Sequence, residues 1–541
     1  NLREQRPESD LRQTPGPCSV SAALQEQLGQ LALQDFPCGL GSWNKSRFAT
    51  RRSRRGGQPR LWADPAGQEE DMPPSEESPE ALIELLKDQH SPWALPPGCS
   101  PQDQHLREMA VLEPKLIRGS NVFRVLKSLR IVDKGVSEVD EGLLQLEQLE
   151  ELILSANHIS RITSANLPRT LKVLELCCNA VADLQDLCAQ PPPELQHLGL
   201  GYNRLCGPSQ DKFLTAAFWP NLVSLDLSFN NLTDLLGLVS QLSSLEKLRI
   251  LVLKGNPLAL IPTYRGFLVD SLPKLSVLDD IHIGFDERHQ FLGLARQPDL
   301  SLSEARVVVS VGDMKGVPDP STLQQLADDS GFPVITYSYC VTYEFVEGEE
   351  LDNGSSTEVC LSQRFFVSCT AKVFVTPGKP WEDTIDYSYR KEHIVKDLMR
   401  LKSYLAAGTI VSVVEEKAYP CTGALQGPAR KDKQKKKKEK SCELRSDPPI
   451  RRTLGTRKVT LEALLATEDL VTTLCDFGIL ITEQPPQPPS VEEKVRSRME
   501  LAGQRVVSVR ANSSSAQPRG WSQHPASSAS RALTHILTSS L

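Results

Sequence analysis

The sequence predicts an α/β repeat solenoid with a parallel β-sheet on its concave face, followed by an all-β antiparallel sandwich, with disordered termini. Three observations support this prediction. A motif of the form LxxLxLxxNxL occurs six times between residues 126 and 258. Strict alternation of apolar and polar residues replaces it beyond residue 303, and Pro-rich and Ser-rich segments follow toward the end of the chain.

The six copies of the motif define the first folded domain, residues 126–283. They begin at Leu126, Leu149, Leu171, Leu195, Leu222 and Leu248, which gives intervals of 23, 22, 24, 27 and 26 residues. These intervals fall within the roughly 20 to 29 residues of leucine-rich repeats. The LxL element places two leucines on one face of a short strand. One strand cannot bury that face alone, so successive turns must stack.

An asparagine ends the strand in five of the six copies, while the first copy has Lys134 at this position. The chain turns inward there, and a side-chain amide can pair with backbone groups that the turn would otherwise leave without partners. We therefore predict a structural ladder of Asn157, Asn179, Asn203, Asn230 and Asn256.

Both ends of the repeat array need caps, because an open end exposes leucines. Residues 79–125 predict a helical N-terminal cap, in which Pro79 follows Ser78 as a helix-start signal. Residues 1–78 are expected to be mostly disordered apart from a helix near 20–34, which is a candidate for binding a partner. The C-terminal cap combines the seven residues Tyr264, Arg265, Leu272, Pro273, Leu275, Leu278 and Asp279.

This C-terminal arrangement resembles the cap of the leucine-rich repeat class typified by a protein phosphatase-1 regulatory subunit. Members of that class are intracellular protein-binding platforms, and several are parts of cilia and axonemes. The resemblance therefore implies a protein partner and, on that ground alone, a ciliary or axonemal location. Segments at 36–52 and 91–140 resemble one narrower group of leucine-rich repeat proteins, and that likeness implies no known activity.

Residues that alternate with the buried leucines should line the concave face and bind a partner. The candidate residues are Arg130, Glu151, Glu175, His197, Tyr202, Asp226 and Phe229. Tyr202 and Phe229 precede ladder asparagines in successive turns, so the two rings should be neighbours. They could form a binding hot spot, or they could pack against each other or against a cap.

No chemistry is predicted on this face. Cys177 and His197 lie on adjacent turns, but no third orienting group accompanies them. The cysteines Cys177, Cys178, Cys188 and Cys206 lack the close ligand pairs of zinc sites. We therefore expect no catalytic residue, no metal and no cofactor.

The second domain is predicted over residues 303–482, after a linker at 284–302. Its strands come from ARVVVSVG, VITYSYCVTYEFV, RFFVSCTAKVFV, TIVSVVEE and RKVTLEALL, with one helix in EHIVKDLMRLKSYL. A disordered Lys-rich insertion is expected at about 422–455. Residues 483–541 are expected to form a Pro/Ser-rich tail, which could contain a short helix.

Composition constrains the partners and the compartment. The net charge of -7 predicts no general affinity for nucleic acid or for anionic membranes. Thirteen cysteines without a CxxC pair suit a reducing compartment, and no apolar run is long enough to span a membrane. The sequence thus predicts a cytoplasmic protein.

Two basic segments, Arg51–Arg55 and Arg430–Lys440, are either solvated loops or local sites for acidic surfaces such as tubulin tails or nucleic acid. Three functions therefore stay open: a non-enzymatic scaffold or adaptor, a regulatory subunit of a phosphatase or kinase, and a cytoskeletal or nucleic-acid binder.

Overall fold

The computed structural model describes residues 18–38, 79–88, 90–94, 101–117, 119–297, 303–317, 319–320, 336–346, 371–418, 449–467, 471–477 and 505–511. Contacts divide the chain into two compact units. The first comprises Asn1–Asn230, Leu236–Leu253 and Ser271–Glu287, and the second Asn231–Leu235, Lys254–Asp270 and Arg288–Leu541. The two basic segments, most of the strand expected at 364–375 and most of the 483–541 tail lie outside the described residues.

The first unit is built on short strands separated by helical turns. Its strands are β1 (Cys18–Ser19), β2 (Ser128–Arg130), β3 (Val136–Glu138), β4 (Glu151–Ile153), β5 (Val173–Glu175), β6 (His197–Gly199), β7 (Ser224–Asp226), β8 (Ile250–Val252), β9 (Val277–Leu278) and β10 (Ile281–His282). The α-helices up to residue 291 are α1 (Val20–Gln30), α2 (Pro79–Lys87), α3 (Pro101–Leu112), α4 (Val122–Val125), α5 (Pro208–Asp211), α6 (Leu235–Leu242), α7 (Tyr264–Ser271) and α8 (Phe285–Phe291). Turns of 3-10 helix occur at Gly119–Asn121, Glu141–Gln145 and Ser164–Asn166. The 3-10 turns Pro257–Leu260 and Leu294–Arg296, and helix α7 up to Asp270, belong to the second unit.

Eight of these strands form one sheet in the order β10-β9-β8-β7-β6-β5-β4-β2. The strands are parallel, except that β10 runs antiparallel to β9. Register aligns the leucines of successive turns in one buried row: Leu129, Leu152, Leu174, Leu198, Leu225 and Leu251. Each turn therefore shares its apolar face with its neighbours, as the repeat spacing requires.

A side-chain amide, buried at Asn157, Asn203, Asn230 and Asn256 and half-buried at Asn179, joins each of these turns to the one before it. The Asn230 side chain has 0% exposure, and its Oδ1 accepts a hydrogen bond from Leu205 N of the preceding turn at 3.0 Å. Its Nδ2 donates to the backbone oxygens of Leu200, Leu227 and Ser228 at 2.8, 3.0 and 3.2 Å. Asn157, Asn179 and Asn203 make equivalent bonds, and Asn256 accepts from Leu232 N at 3.1 Å.

In the first copy, which lacks an asparagine, the backbone is paired by the amide of the second copy. Lys134 N and Val136 N both donate hydrogen bonds to Asn157 Oδ1, at 3.1 and 3.0 Å. The lysine at this position therefore leaves the backbone of the first turn paired. At the other end, Asp279 Oδ1 accepts from Leu253 N at 2.7 Å. A carboxylate thus takes part of the role that an amide has in the inner turns.

The residue before each ladder position adopts the left-handed backbone conformation, which the sequence did not predict. At five of these six positions the residue is not glycine and has φ between +53° and +58°: Asp133, Ala156, Cys178, Tyr202 and Phe229. At the sixth position, Gly255 has φ +78°. A non-glycine residue in this region costs roughly 1 to 2 kcal/mol. The inward turn that it creates brings the next side chain to the buried backbone groups, whose hydrogen bonds offset that cost.

Helix α1 is part of the N-terminal cap. β1 pairs in parallel with β3, and Ser21 donates from its backbone N to Asp140 Oδ1 at 3.0 Å. Val20, Ala23 and Leu24 are buried. The suggestion that this helix stands ready to bind a partner is therefore corrected, since its apolar face is already covered.

The second unit contains two four-stranded sheets. Its strands are β11 (Ala305–Lys315), β12 (Thr336–Phe345), β13 (Lys372–Val375), β14 (Thr384–Val395), β15 (Thr409–Ala418), β16 (Ile450–Val459), β17 (Val471–Cys475) and β18 (Arg505–Ala511), with helices α9 (Leu398–Ala407) and α10 (Ala463–Ala466). One sheet has the order β13-β12-β15-β16 and is antiparallel. The other has the order β14-β11-β18-β17.

Four expectations for this unit are corrected. The second sheet is mixed, because β18 runs parallel to both β11 and β17, so the unit is not entirely antiparallel. Strand β18 belongs to the segment expected to be a tail, so the domain does not end at residue 482. Strand β16 begins at Ile450, inside the expected insertion, and β14 rather than the helix includes residues 392–395.

An aromatic cluster links the two sheets of the second unit. His393 on β14 is buried, and its Nε2 lies 2.9 Å from the hydroxyl of Tyr343 on β12. Its ring stacks on Phe345 with centroids 4.0 Å apart.

Within the same unit, Lys402 on α9 donates to Asn231 Oδ1 at 2.9 Å, and burial lowers the Lys402 pKa to about 8.

Replacing Asn230 by alanine should lower the free energy of unfolding by roughly 2 to 4 kcal/mol, because several buried backbone groups lose their partner at about 1 to 3 kcal/mol each. Urea denaturation followed by circular dichroism measures this. Asn221→Ala is the matched control: its amide donates to Pro193 O at the surface, and its loss should cost under about 1 kcal/mol. Equal losses in the two variants would refute the stabilising role of the buried amide.

Candidate functional site

The face of the repeat sheet opposite the leucines carries parallel rows of side chains. Register aligns one row as Ser128, Glu151, Val173, His197, Ser224 and Ile250, and the next as Arg130, Ile153, Glu175, Gly199, Asp226 and Val252. Both rows alternate with the buried leucines because successive side chains of a strand point to opposite faces. Five of the seven predicted binding residues belong to these two rows.

The centre of this face is a hydrogen-bonded network. His197 Nδ1 lies 3.0 Å from Ser224 Oγ, and His197 Nε2 lies 3.0 Å from Glu175 Oε2. The three residues come from three successive strands. His197 is only 3% exposed, so the prediction that it contacts a partner directly is corrected. Its role is to fix the Glu175 carboxylate in place.

Two glycines make room for this network. A Cβ built on Gly199 would lie 2.2 to 2.3 Å from the Glu175 carboxylate. One built on Gly201 would lie 2.7 Å from Ser228 Oγ and 3.1 Å from Asp226 Oδ2. A side chain at either position would displace these polar groups, so glycine is what allows the network to keep this arrangement. A pair of glycines in a short strand is itself the sequence signal for such an approach, and the sequence prediction did not use it.

The network is acidic, and its members have shifted pKa values. Burial raises the pKa of Glu175, but hydrogen bonds from His197 and Cys177 outweigh burial and hold this pKa below its usual value. Burial raises the pKa of Asp226 above its usual value, although hydrogen bonds from Ser228 oppose the increase. Burial, together with the charges of Glu175 and Asp226, raises the pKa of Cys177 well above its usual value.

These shifts argue against nucleophilic chemistry at Cys177. Its thiol stays protonated and lies 3.7 Å from Asp226 Oδ2, while its sulfur accepts a hydrogen bond from Gly201 N at 3.2 Å. Both ring nitrogens of His197 are already bonded to Glu175 and Ser224. Within the described part of the chain, no group of three or more His, Cys, Asp or Glu side chains could hold a metal ion.

An aromatic pair extends the site. Tyr202 and Phe229 stack with ring centroids 4.3 Å apart and planes inclined by 11°. Tyr202 remains 40% exposed and Phe229 is half-buried. The two alternatives considered for these rings are thus compatible, because the rings pack on each other and still leave one face of the pair accessible. Arg130 is exposed and Glu151 is half-buried.

Comparison with known proteins identifies the family. The family model for the N-terminal domain of leucine-rich repeat-containing protein 43 matches residues 27–118, and the model for its C-terminal domain matches residues 305–363 and 359–529. The chain belongs to this family. It is 39% identical to leucine-rich repeat-containing protein 43 of Homo sapiens over 581 aligned residues, covering 87% of this chain and 88% of the human protein. It is 38% identical to the Mus musculus protein, covering 88% and 89%.

Two solved structures show weaker likeness. One is the Drosophila melanogaster SNF/U2A' complex, with 23% identity, a TM-score of 0.21 and coverage of 32% of this chain and 82% of that one. The other is an internalin from Listeria monocytogenes, with 22% identity, a TM-score of 0.24 and coverage of 31% and 53%.

Membership of the leucine-rich repeat-containing protein 43 family indicates protein–protein interaction, because proteins with such repeats are generally interaction modules rather than enzymes. None of the helices in the described segments combines the length and the apolar composition that a membrane span needs.

Replacing Gly199 by alanine should destabilise the protein by roughly 1 to 3 kcal/mol, because the added methyl group displaces the Glu175 carboxylate from His197. Thermal or urea denaturation measures the effect. Gly29→Ala is the matched control: no atom lies within 4 Å of the added methyl group, and alanine is favoured in helix α1. Wild-type stability of the Gly199→Ala variant would contradict the close packing described here.

Proposed function

We propose that the chain is a non-enzymatic scaffold or adaptor, and that it binds a protein partner on the concave face of a repeat solenoid. The observation that supports this most is the exposed ring of Tyr202, held rigid by stacking on Phe229 beside a buried polar network. A rigid aromatic group loses little conformational entropy on binding and supplies a large contact area.

The network beneath the face favours recognition over catalysis. Every polar side chain at its centre has a partner within the sheet, so the groups are positioned before any ligand arrives. Preorganisation of this kind reduces the entropic cost of association. The acidic character of the face, from Glu151, Glu175 and Asp226, favours a partner whose contacting surface carries positive charge.

We further propose that this interaction takes place in the cytoplasm, within cilia or axonemes. The support for that location is the resemblance of the cap residues Tyr264–Asp279 to the phosphatase-regulator-like class, several of whose members are parts of those organelles.

The partner-binding proposal is tested by proximity labelling in ciliated cells with the wild type and the Tyr202→Ala variant. Alanine can adopt the left-handed backbone conformation of this position as tyrosine does, so we expect the variant to fold. Loss of a binding hot spot should lower the affinity for the partner by about 2 kcal/mol or more, which is roughly thirtyfold. Partners labelled by the wild type should then be depleted in the variant.

Phe285→Ala is the control for this experiment, since Phe285 is also an exposed aromatic residue, at 83%. It should leave the labelled set unchanged. If Tyr202→Ala also leaves the set unchanged, the aromatic pair is not the binding site. Comparison with non-ciliated cells tests the location separately.

A further inference from the structure

Strand β16 of the second unit is unusually exposed and basic. Of its ten residues, Ile450–Val459, seven are exposed and only Val459 is buried. The strand carries Arg451, Arg452, Arg457 and Lys458 and has no acidic residue. Such exposure is expected of a strand at the edge of a sheet.

Strand β16 is the last strand of its sheet. It pairs with β15 on one side, and among the described residues no strand pairs with its other side. The end of β16 is partly covered, because a Cβ on Gly455 would lie 2.8 Å from Phe477 Cβ and Arg457 Nε donates to Asp476 O. Among the residues that the structure describes, nothing is seen to cover the segment Ile450–Leu454, which is called the open edge here.

The nearest carboxylates on β15 already have partners. Glu416 Oε1 accepts from Arg451 Nε at 2.8 Å, and Glu415 Oε1 lies 3.5 Å from Lys417 Nζ. Within the described segments, no carboxylate forms an ion pair with Arg452. In the register, Arg452 lies directly across from Glu415, so Arg452 and Lys417 share one carboxylate. Together with Arg451 and Glu416, this leaves the open edge with an excess of positive charge, next to backbone groups that face away from β15.

We propose that the edge Ile450–Leu454 binds an extended acidic peptide, which adds to the sheet as a further strand. Backbone hydrogen bonds would provide affinity, and glutamate or aspartate side chains on the face that carries Arg452 would provide selectivity. Opposite charges directly across two strands lie about 5 Å apart and stabilise the pair. This edge belongs to the second unit, whereas the repeat sheet belongs to the first.

The charge alone would suit a nucleic acid as well, but the geometry favours a peptide. Single-stranded nucleic acids bind through aromatic side chains on which the bases stack, and β16 contains no aromatic residue. An exposed strand edge instead offers alternating N–H and C=O groups, which a second peptide backbone complements.

The test measures binding of two fluorescein-labelled decapeptides to the full chain by fluorescence anisotropy. One peptide is (Glu-Thr)5 and the other is (Glu-Pro)5, which has the same charge but lacks half of the backbone N–H donors. We expect (Glu-Thr)5 to bind at least about tenfold more tightly, and to weaken as salt increases. Equal binding of the two peptides would overturn strand addition.

Two variants with the same change of charge locate the site. Arg452→Glu should weaken (Glu-Thr)5 binding about tenfold, whereas Lys134→Glu, at an exposed position of the first unit, should change it less than about threefold. A variant lacking residues 430–440 should still distinguish the two peptides. The proposal is wrong if Arg452→Glu behaves like Lys134→Glu, if the deletion abolishes the discrimination, or if decauridylate binds more tightly than (Glu-Thr)5.

Discussion

The repeat sheet depends on one constraint: the backbone N–H and C=O groups that are buried at the inward turn of each repeat must find hydrogen-bond partners. A strand of three residues supplies few hydrogen bonds, so the chain that leaves it would bring unpaired N–H and C=O groups into the apolar interior. One asparagine per turn satisfies several of them at once. Because its Oδ1 accepts from the preceding turn, as Asn230 does from Leu205 N, the same amide also fixes the spacing of neighbouring turns.

The regularity of the backbone has a consequence for the opposite face. Side chains such as Glu175, His197 and Ser224 come from positions 22 and 27 residues apart in sequence, yet the register places them within hydrogen-bonding distance. The small residues Gly199 and Gly201 allow the larger side chains of adjacent strands to fold over them. A rigid polar centre therefore lies beside the exposed Tyr202, which is the combination that favours recognition of a protein surface.

Much of the first unit could be predicted from the sequence because its determinants are periodic. Leucine spacing specifies which residues face the core, and alternation then assigns Glu151 and Asp226 to the other face. Burial of His197 could not be predicted, since it depends on the sizes of side chains from two other turns. The left-handed conformation of Tyr202 and Phe229 was missed because propensity disfavours it at residues other than glycine.

The second unit was harder to predict because its pairings are not local. Alternation identified β11, β12 and β15, whose patterns are long. Strand β18 was missed because it is short and lies among polar and Ser-rich segments, and its partner β11 is about 200 residues earlier in the chain. Parallel pairing over such a distance leaves no local signal, so the mixed sheet could be recognised only from the structure.

Amide hydrogen exchange tests the role of the asparagine ladder most directly. The backbone N–H groups of Val181 and Leu205 each donate to an asparagine of the following turn, at 2.9 and 3.0 Å. Both should exchange as slowly as the strand amides of Leu198 and Leu225, and the exchange of Leu205 should accelerate selectively when Asn230 is replaced by alanine. Rapid exchange at these positions in the wild type, or no change at Leu205 in the variant, would contradict the account.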